Sequence, residues 1–217
     1  MFVKICGVTN EDDALLAVAM GADAVGFIFA PSLRQIPPQL AYDITRRLPP
    51  EILTVGVFRD EHPRRVTELV HRSGVKAAQL HGSETPEVVA EVARVVRWVI
   101  RALPAGSPHV ARARDLATDL LLLDAPTPGS GQVFDWSLAA EAPEGMRVIL
   151  AGGLGPENVA EAIGAVDPWG VDVVSGVERS PGKKDPIKVK RFIERARAAA
   201  PQPYVGPDEL PYDWYDE

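Results

Sequence analysis

Along the first 200 residues, short apolar runs of β-forming residues alternate with stretches whose apolar positions recur at helical spacing. Strands are expected at Phe2 to Cys6, Asp23 to Phe29, Glu51 to Phe58, Lys76 to Leu80, Arg97 to Ala102, Asp119 to Asp124, Arg147 to Ala151 and Val171 to Val174. Helices are expected between and after them, at Glu11 to Met20, Pro37 to Leu48, Pro63 to Arg72, Thr85 to Val95, Pro108 to Leu116, Trp136 to Glu141, Pro156 to Ile163 and Pro186 to Ala200. Prolines open several of these helices, and Gly21 and Gly74 close two, as their φ preferences dictate. Eight alternating units in about 200 residues predict an α/β fold, a single-domain (β/α)8 TIM barrel with a parallel sheet; an open doubly wound sheet is the structural rival.

Side-chain alternation in the first strand puts Phe2, Lys4 and Cys6 on one face and Val3 and Ile5 on the other. Gly7 ends the strand, and Thr9 or Asn10 can cap the helix that begins at Glu11. Cys6 therefore sits at a strand's C-terminal end, the edge of a parallel α/β fold where chemistry is found. Its bland reading is core filler, because a free cysteine is among the most buried residue types.

Composition narrows the class. With 217 residues and 46% hydrophobic content, the chain can bury one substantial core. A net charge of −7 argues against a nucleic-acid partner; five acids in the last ten positions account for most of it, leaving the rest near −2. The apolar runs are too short to span a membrane, and the chain enters a strand with no charged, cleavable leader, so it reads as soluble and cytoplasmic. One cysteine excludes an internal disulfide and any paired-cysteine site, and four scattered histidines show no metal-ligand spacing. Residues 201–217 break the pattern: they are proline-rich and acidic, yet hold four aromatics, which favour docking onto the barrel or onto a second copy in a homodimer.

A barrel gathers the ends of all its strands at one mouth, bringing Cys6, Arg34, His81, Asp124, Gly153 and Ser175 together from across the sequence. Asp124, which ends the run Leu120-Leu121-Leu122-Leu123, is either a loop anchor or a functional acid. Gly152-Gly153 and Ser175-Gly176 follow consecutive strands; they are ordinary turn residues or a backbone cup for phosphate. Arg34 is either solvated or positioned to grip a carboxylate with two parallel hydrogen bonds. Gln79 shares its strand face with Ala77 and points inward if Ala78 and Leu80 face the helices.

Several motifs, in order, together resemble one family: Lys4-Ile5-Cys6-Gly7-Val8-Thr9, Val55-Gly56-Val57-Phe58, Gln79-Leu80-His81-Gly82, Gly129-Ser130-Gly131 with Phe134-Asp135-Trp136, Leu150-Ala151-Gly152-Gly153-Leu154, and Ser175-Gly176-Val177-Glu178 with Gly182-Lys183-Lys184-Asp185. They are similar to those of the phosphoribosylanthranilate isomerases, over about residues 1–200. The resemblance implies an Amadori rearrangement of N-(5-phosphoribosyl)anthranilate in tryptophan synthesis, with Cys6 as general base, Asp124 as general acid and Arg34 holding the anthranilate carboxylate. Gln79, His81, Gly152, Gly153, Ser175 and Gly176 are the further candidate substrate-binding residues. The implied substrate carries a phosphate and a carboxylate, and the implied chemistry needs no cofactor or metal. Two departures stand out: Ser32-Leu33-Arg34 where the family reads Ser-Pro-Arg, and Val174 where it often has a second serine. Rival readings are another phosphate-binding barrel, such as an indole-glycerol-phosphate synthase or a histidine-pathway isomerase, and a barrel that binds a phosphorylated ligand without turning it over.

An unperturbed thiol, with a pKa of about 8.5, is only roughly 3% ionised at pH 7. A base-competent Cys6 is therefore expected to ionise below about 8. Lys4, one inward step below it, either favours the thiolate or pairs with a barrel carboxylate.

Overall fold

A computed structural model describes residues 1–116, 118, 120–125 and 135–200. Eight parallel strands close into a barrel in sequence order: β1 (Phe2–Ile5), β2 (Ala24–Ile28), β3 (Leu53–Phe58), β4 (Ala77–Leu80), β5 (Trp98–Pro104), β6 (Leu120–Asp124), β7 (Arg147–Leu150) and β8 (Gly170–Val173). Closure is made by β1 against β8, which places Phe2 beside Gly170 and Lys4 beside Asp172. The (β/α)8 expectation holds, and the open-sheet rival is excluded.

The expected alternation of faces sorts the apolar residues into two cores. Phe2, Ala24, Leu53, Val55, Ala77, Ile100, Ala102, Leu122 and Ile149 fill the barrel interior, and the Phe2 ring stacks on Trp169 at a centroid distance of 4.6 Å. Val3, Ile5, Val25, Phe27, Ala78, Leu80, Leu121, Leu123 and Leu150 face outward beneath the helices. These are α1 (Glu11–Ala19), α2 (Pro38–Thr45), α3 (Pro63–Ser73), α4 (Pro86–Ala93), α5 (Val159–Val166) and α6 (Pro186–Ala199). Asn10 caps α1, its Oδ1 accepting the Asp13 amide proton at 2.9 Å, and Gly74 ends α3 in the left-handed conformation.

Two expected helices are not α-helices. After β5, the stretch expected as Pro108 to Leu116 runs as successive three-residue turns, with 3₁₀ geometry at Ala113–Asp115. Val110, Ala113 and Leu116 are spaced three apart, so a 3₁₀ repeat, at three residues per turn, keeps all three on the barrel side. After β6, Trp136–Glu141 is likewise 3₁₀. α5 starts at Val159 instead of Pro156, because Asn158 is engaged in holding the preceding loop. Beyond β8, a 3₁₀ turn at Ser175–Val177 leads into a small antiparallel pair, β9 (Glu178–Ser180) with β10 (Lys183–Lys184). The loop motif Gly129-Ser130-Gly131 and the tail 201–217 lie outside the described residues.

Candidate active site

At the C-terminal ends of the strands is a cavity of about 320 Å³. Cys6, Arg34, Gln79, His81, Asp124, Gly152, Gly153 and Ser175 all line it, so the barrel brings together eight of the nine residues singled out from sequence. Gly176 is the ninth and does not line the cavity. A side chain there would put its Cβ 1.9 Å from the Leu154 carbonyl oxygen, so this glycine lets the loops after β7 and β8 lie against each other.

Cys6 continues the edge of β1, its amide donating to Val173 O at 2.9 Å, and its side chain is 3% exposed. Its thiol occupies room left by Gly26 on β2: a Cβ at that glycine would come within 2.5 Å of Sγ. Below it, fully buried Lys4 donates to Asp172 Oδ1 at 2.9 Å, and its ammonium charge acts on the thiol. Burial pushes the Cys6 thiol up; Lys4 and, more weakly, Lys184 pull it down, Asp172 pushes it up again, and the net direction is upward. The expectation of a thiol ionising below its ordinary range is therefore overturned, because desolvation outweighs the ammonium beside it. Burial also opposes the charge on Lys4, but Asp172 and Cys6 together hold its pKa above the usual lysine value.

Asp124 ends β6, three strands from β1 around the ring through β7 and β8. Both of its oxygens are engaged: Oδ1 accepts the Ala125 amide proton at 2.8 Å, and Oδ2 lies 3.1 Å from His81 Nε2. His81 Nδ1 in turn lies 3.1 Å from Gln79 Nε2. Gln79 points inward with Ala77, as the alternation requires.

Arg34 stands in the loop after β2 and forms two parallel hydrogen bonds to Glu178, Nε to Oε1 at 2.8 Å and Nη2 to Oε2 at 2.7 Å. Glu178 also takes Lys184 Nζ at 3.3 Å and the Gly182 amide at 3.2 Å. Burial alone would raise its pKa, but the Arg34 hydrogen bond and the Lys184 and Arg34 charges reverse that and hold it below the ordinary glutamate value. Lys184 ties the assembly to the first strand by donating to Cys6 O at 2.6 Å.

The loops after β7 and β8 form the opposite wall. Gly152 and Gly153 adopt φ of 84° and 66°, conformations that other residues adopt rarely, and a Cβ at Gly152 would meet the Ala125 amide nitrogen at 2.4 Å. Asn158 clasps this loop, accepting from the Gly155 amide at 2.8 Å and donating to Gly153 O at 3.0 Å.

Sequence reading passed over Asp172 and Glu178 as site residues. Asp172 carried a signal, an acid within the apolar strand Gly-Val-Asp-Val, on the inward face that pairs with Lys4. Glu178 opens β9, beyond the barrel, and carried none of its own. Among the described residues, no group of three or more potential ligands converges as a metal site, and no helix is long and apolar enough to cross a membrane.

A barrel held together only for stability has no use for ionisable groups sequestered at the mouth of its strands, where each costs desolvation. Keeping a thiol, a carboxylate–imidazole pair and a guanidinium there marks an enzyme of the (β/α)8 class. The model of the N-(5'-phosphoribosyl)anthranilate (PRA) isomerase family matches residues 3–195. The N-(5'-phosphoribosyl)anthranilate isomerase of Desulforudis audaxviator is 48% identical over 204 residues, covering 91% of this chain and 98% of that one. The crystal structure of the phosphoribosyl anthranilate isomerase from Thermus thermophilus superposes with a TM-score of 0.85 at 41% identity, covering 91% of this chain and 99% of that one. A further structure of such an isomerase, in complex with reduced 1-(o-carboxyphenylamino)-1-deoxyribulose 5-phosphate, gives a TM-score of 0.80 at 40% identity, with the same coverage of both chains. The chain belongs to the N-(5'-phosphoribosyl)anthranilate isomerase family.

Proposed function

We propose that this protein converts N-(5-phosphoribosyl)anthranilate to 1-(2-carboxyphenylamino)-1-deoxyribulose 5-phosphate in tryptophan synthesis, with Asp124 as general acid and Cys6 as general base. The observation that carries the assignment of roles is that these two side chains, placed on strands well apart around the ring, line the same cavity. In the reaction, Asp124 gives a proton to the ribose ring oxygen, the C1′–O bond breaks, and an iminium forms between C1′ and the anthranilate nitrogen. That cation acidifies the C2′ proton, which Cys6 removes; the electron pair neutralises the iminium, and the resulting enol ketonises with protonation at C1′. The substrate is its own electron sink, so the isomerisation draws on no external electron acceptor. The developing cation also offsets what burial does to Cys6, because a thiolate is favoured by the positive charge that appears next to it.

Arg34 is the residue for the anthranilate carboxylate. Glu178 occupies its Nε and Nη2 on one edge, which leaves Nη1 to complete the other. Gly152, Gly153 and Ser175 are the residues for the phosphate, through backbone N–H groups that bulkier side chains would obstruct. Gln79 and His81 complete the wall on the side of Asp124.

Residues 1–200 form the catalytic domain in this reading, and 201–217 a separate acidic, aromatic tail. The protein works in the cytoplasm, as a homodimer; a related isomerase from Thermotoga maritima, 39% identical, is described as dimeric. Loss of phosphoribosylanthranilate fluorescence on adding the purified protein tests the activity directly, and an unchanged signal would refute it. A non-catalytic binding barrel would bind the reduced product analogue without that loss.

A further inference from the structure

The general acid raises a problem of proton placement. To donate, Asp124 has to carry a proton, yet as it stands both of its oxygens receive donors. Ala125 N–H points at Oδ1, at 2.8 Å. At Oδ2 stands His81 Nε2, at 3.1 Å, and the Gln79 amide nitrogen at 3.1 Å from Nδ1 makes that ring the Nε2–H tautomer, because an amide nitrogen can only donate. This arrangement suits the carboxylate, the form left after the proton has gone.

A protonated Asp124 keeps lone pairs that can accept from both neighbours; for its proton to be held by a neighbour before substrate binds, one of the two has to become an acceptor. The backbone amide cannot. The imidazole can, provided its proton sits on Nδ1, and the partner of Nδ1 is Gln79, which would then have to present oxygen in place of nitrogen. Gln79 is 1% exposed and, among the described residues, its Oε1 has no hydrogen-bond partner, so none of them anchors the amide in its present orientation through that oxygen.

We infer that Gln79 is a positioning residue, an amide switch whose half-turn chooses which nitrogen of His81 carries the proton, and thereby whether Asp124 is held charged or loaded. With nitrogen toward Nδ1, His81 Nε2–H donates to the Asp124 carboxylate. With oxygen toward Nδ1, the ring carries Nδ1–H and its Nε2 accepts the proton that Asp124 shares. One proton taken up from solvent accompanies the change from the first state to the second, and it is the proton later given to the ribose ring oxygen. Gln79 touches neither substrate nor reacting atoms in this role. The inference rests on the assignment of Asp124 as the acid.

The test uses Gln79→Met, which keeps length and removes the amide, and Gln79→Glu, which can only accept from a neutral ring. Gln79→Met should lower kcat at least tenfold while KM stays within threefold of wild type. Gln79→Glu should be several-fold more active than Gln79→Met, because it permits the loaded state. Imidazole ¹⁵N spectra of the ligand-free enzyme at pH 8.5 should show His81 protonated at Nε2 in wild type and carrying a proton on Nδ1 in Gln79→Glu. The inference is overturned if Gln79→Met keeps kcat within twofold, if its loss lies in KM alone, or if Nδ1 of Gln79→Glu stays bare. Asp124→Asn in parallel separates the two levels: if it is as active as wild type, the acid assignment itself fails, whereas an inactive Asp124→Asn beside an unaffected Gln79→Met refutes the switch alone.

Discussion

Arg34 and Glu178, 144 residues apart, meet through two parallel hydrogen bonds of 2.8 and 2.7 Å at the cavity rim. The pair aims the guanidinium before any ligand arrives, so less rotamer freedom is lost on binding. Glu178→Gln should therefore raise KM severalfold and leave kcat largely intact, whereas Arg34→Ala should cost about 2 kcal/mol or more in kcat/KM, some thirtyfold, if the carboxylate contact is desolvated. A threefold or smaller change in Arg34→Ala would assign this residue to solvent.

The same pair sets an acid limit to stability. Glu178 is held below the ordinary glutamate pKa, so its contribution is fully present above that ordinary value, about 4.3, and is lost as pH falls through the depressed folded value. Melting temperatures of wild type and Glu178→Gln should thus converge as pH drops below about 4.3, with the gap largest near neutrality. A constant gap down to acid pH would show that the carboxylate charge is not what stabilises.

Lys4 and Asp172 form a buried ion pair, with side chains 0% and 6% exposed. Removing one partner leaves the other charge uncompensated, and Asp172→Asn should cost about 3–5 kcal/mol of stability by denaturant unfolding. Lys4 is held above its ordinary value, so the contribution of the pair persists through neutral and moderately alkaline pH and is lost only as pH rises through the raised folded value. A loss under 1 kcal/mol in Asp172→Asn would mean that water or a neutral lysine relieves the site.

Cys6→Ser and Asp124→Asn should each lower kcat by at least about a hundredfold, with little change in affinity for the reduced product analogue. Burial dominates the thiol, so iodoacetamide should modify Cys6 with an apparent pKa above the ordinary thiol value, and Lys4→Met should raise it further. A Cys6→Ser enzyme with more than a tenth of wild-type kcat would return Cys6 to core packing.

Gly153 has φ of 66°, and Gly153→Val should distort the loop after β7 and raise KM sharply. Inorganic phosphate should compete with substrate in wild type and do so more weakly in the variant. No competition in wild type would place the phosphate elsewhere.

Much of this was readable along the chain. Strand alternation put Phe2, Lys4 and Cys6 on one face and Gln79 on the face of Ala77, and eight units of strand and connection predicted closure, because both signals are local and repeat with the geometry of the backbone. The fifth and sixth connections misled for a physical reason: Val110, Ala113 and Leu116, and likewise Trp136, Ala139 and Ala142, are spaced three apart, which satisfies a 3₁₀ repeat as well as a helical stripe. What the tertiary structure decided is how the inward groups pair. Lys4 finds Asp172 only because closure sets β1 beside β8, 168 residues away, and Arg34 finds Glu178 only where the chain turns back beyond that seam. Desolvation is likewise a property of the closed barrel: a lysine beside a thiol in sequence suggests a thiolate, and complete burial reverses the direction.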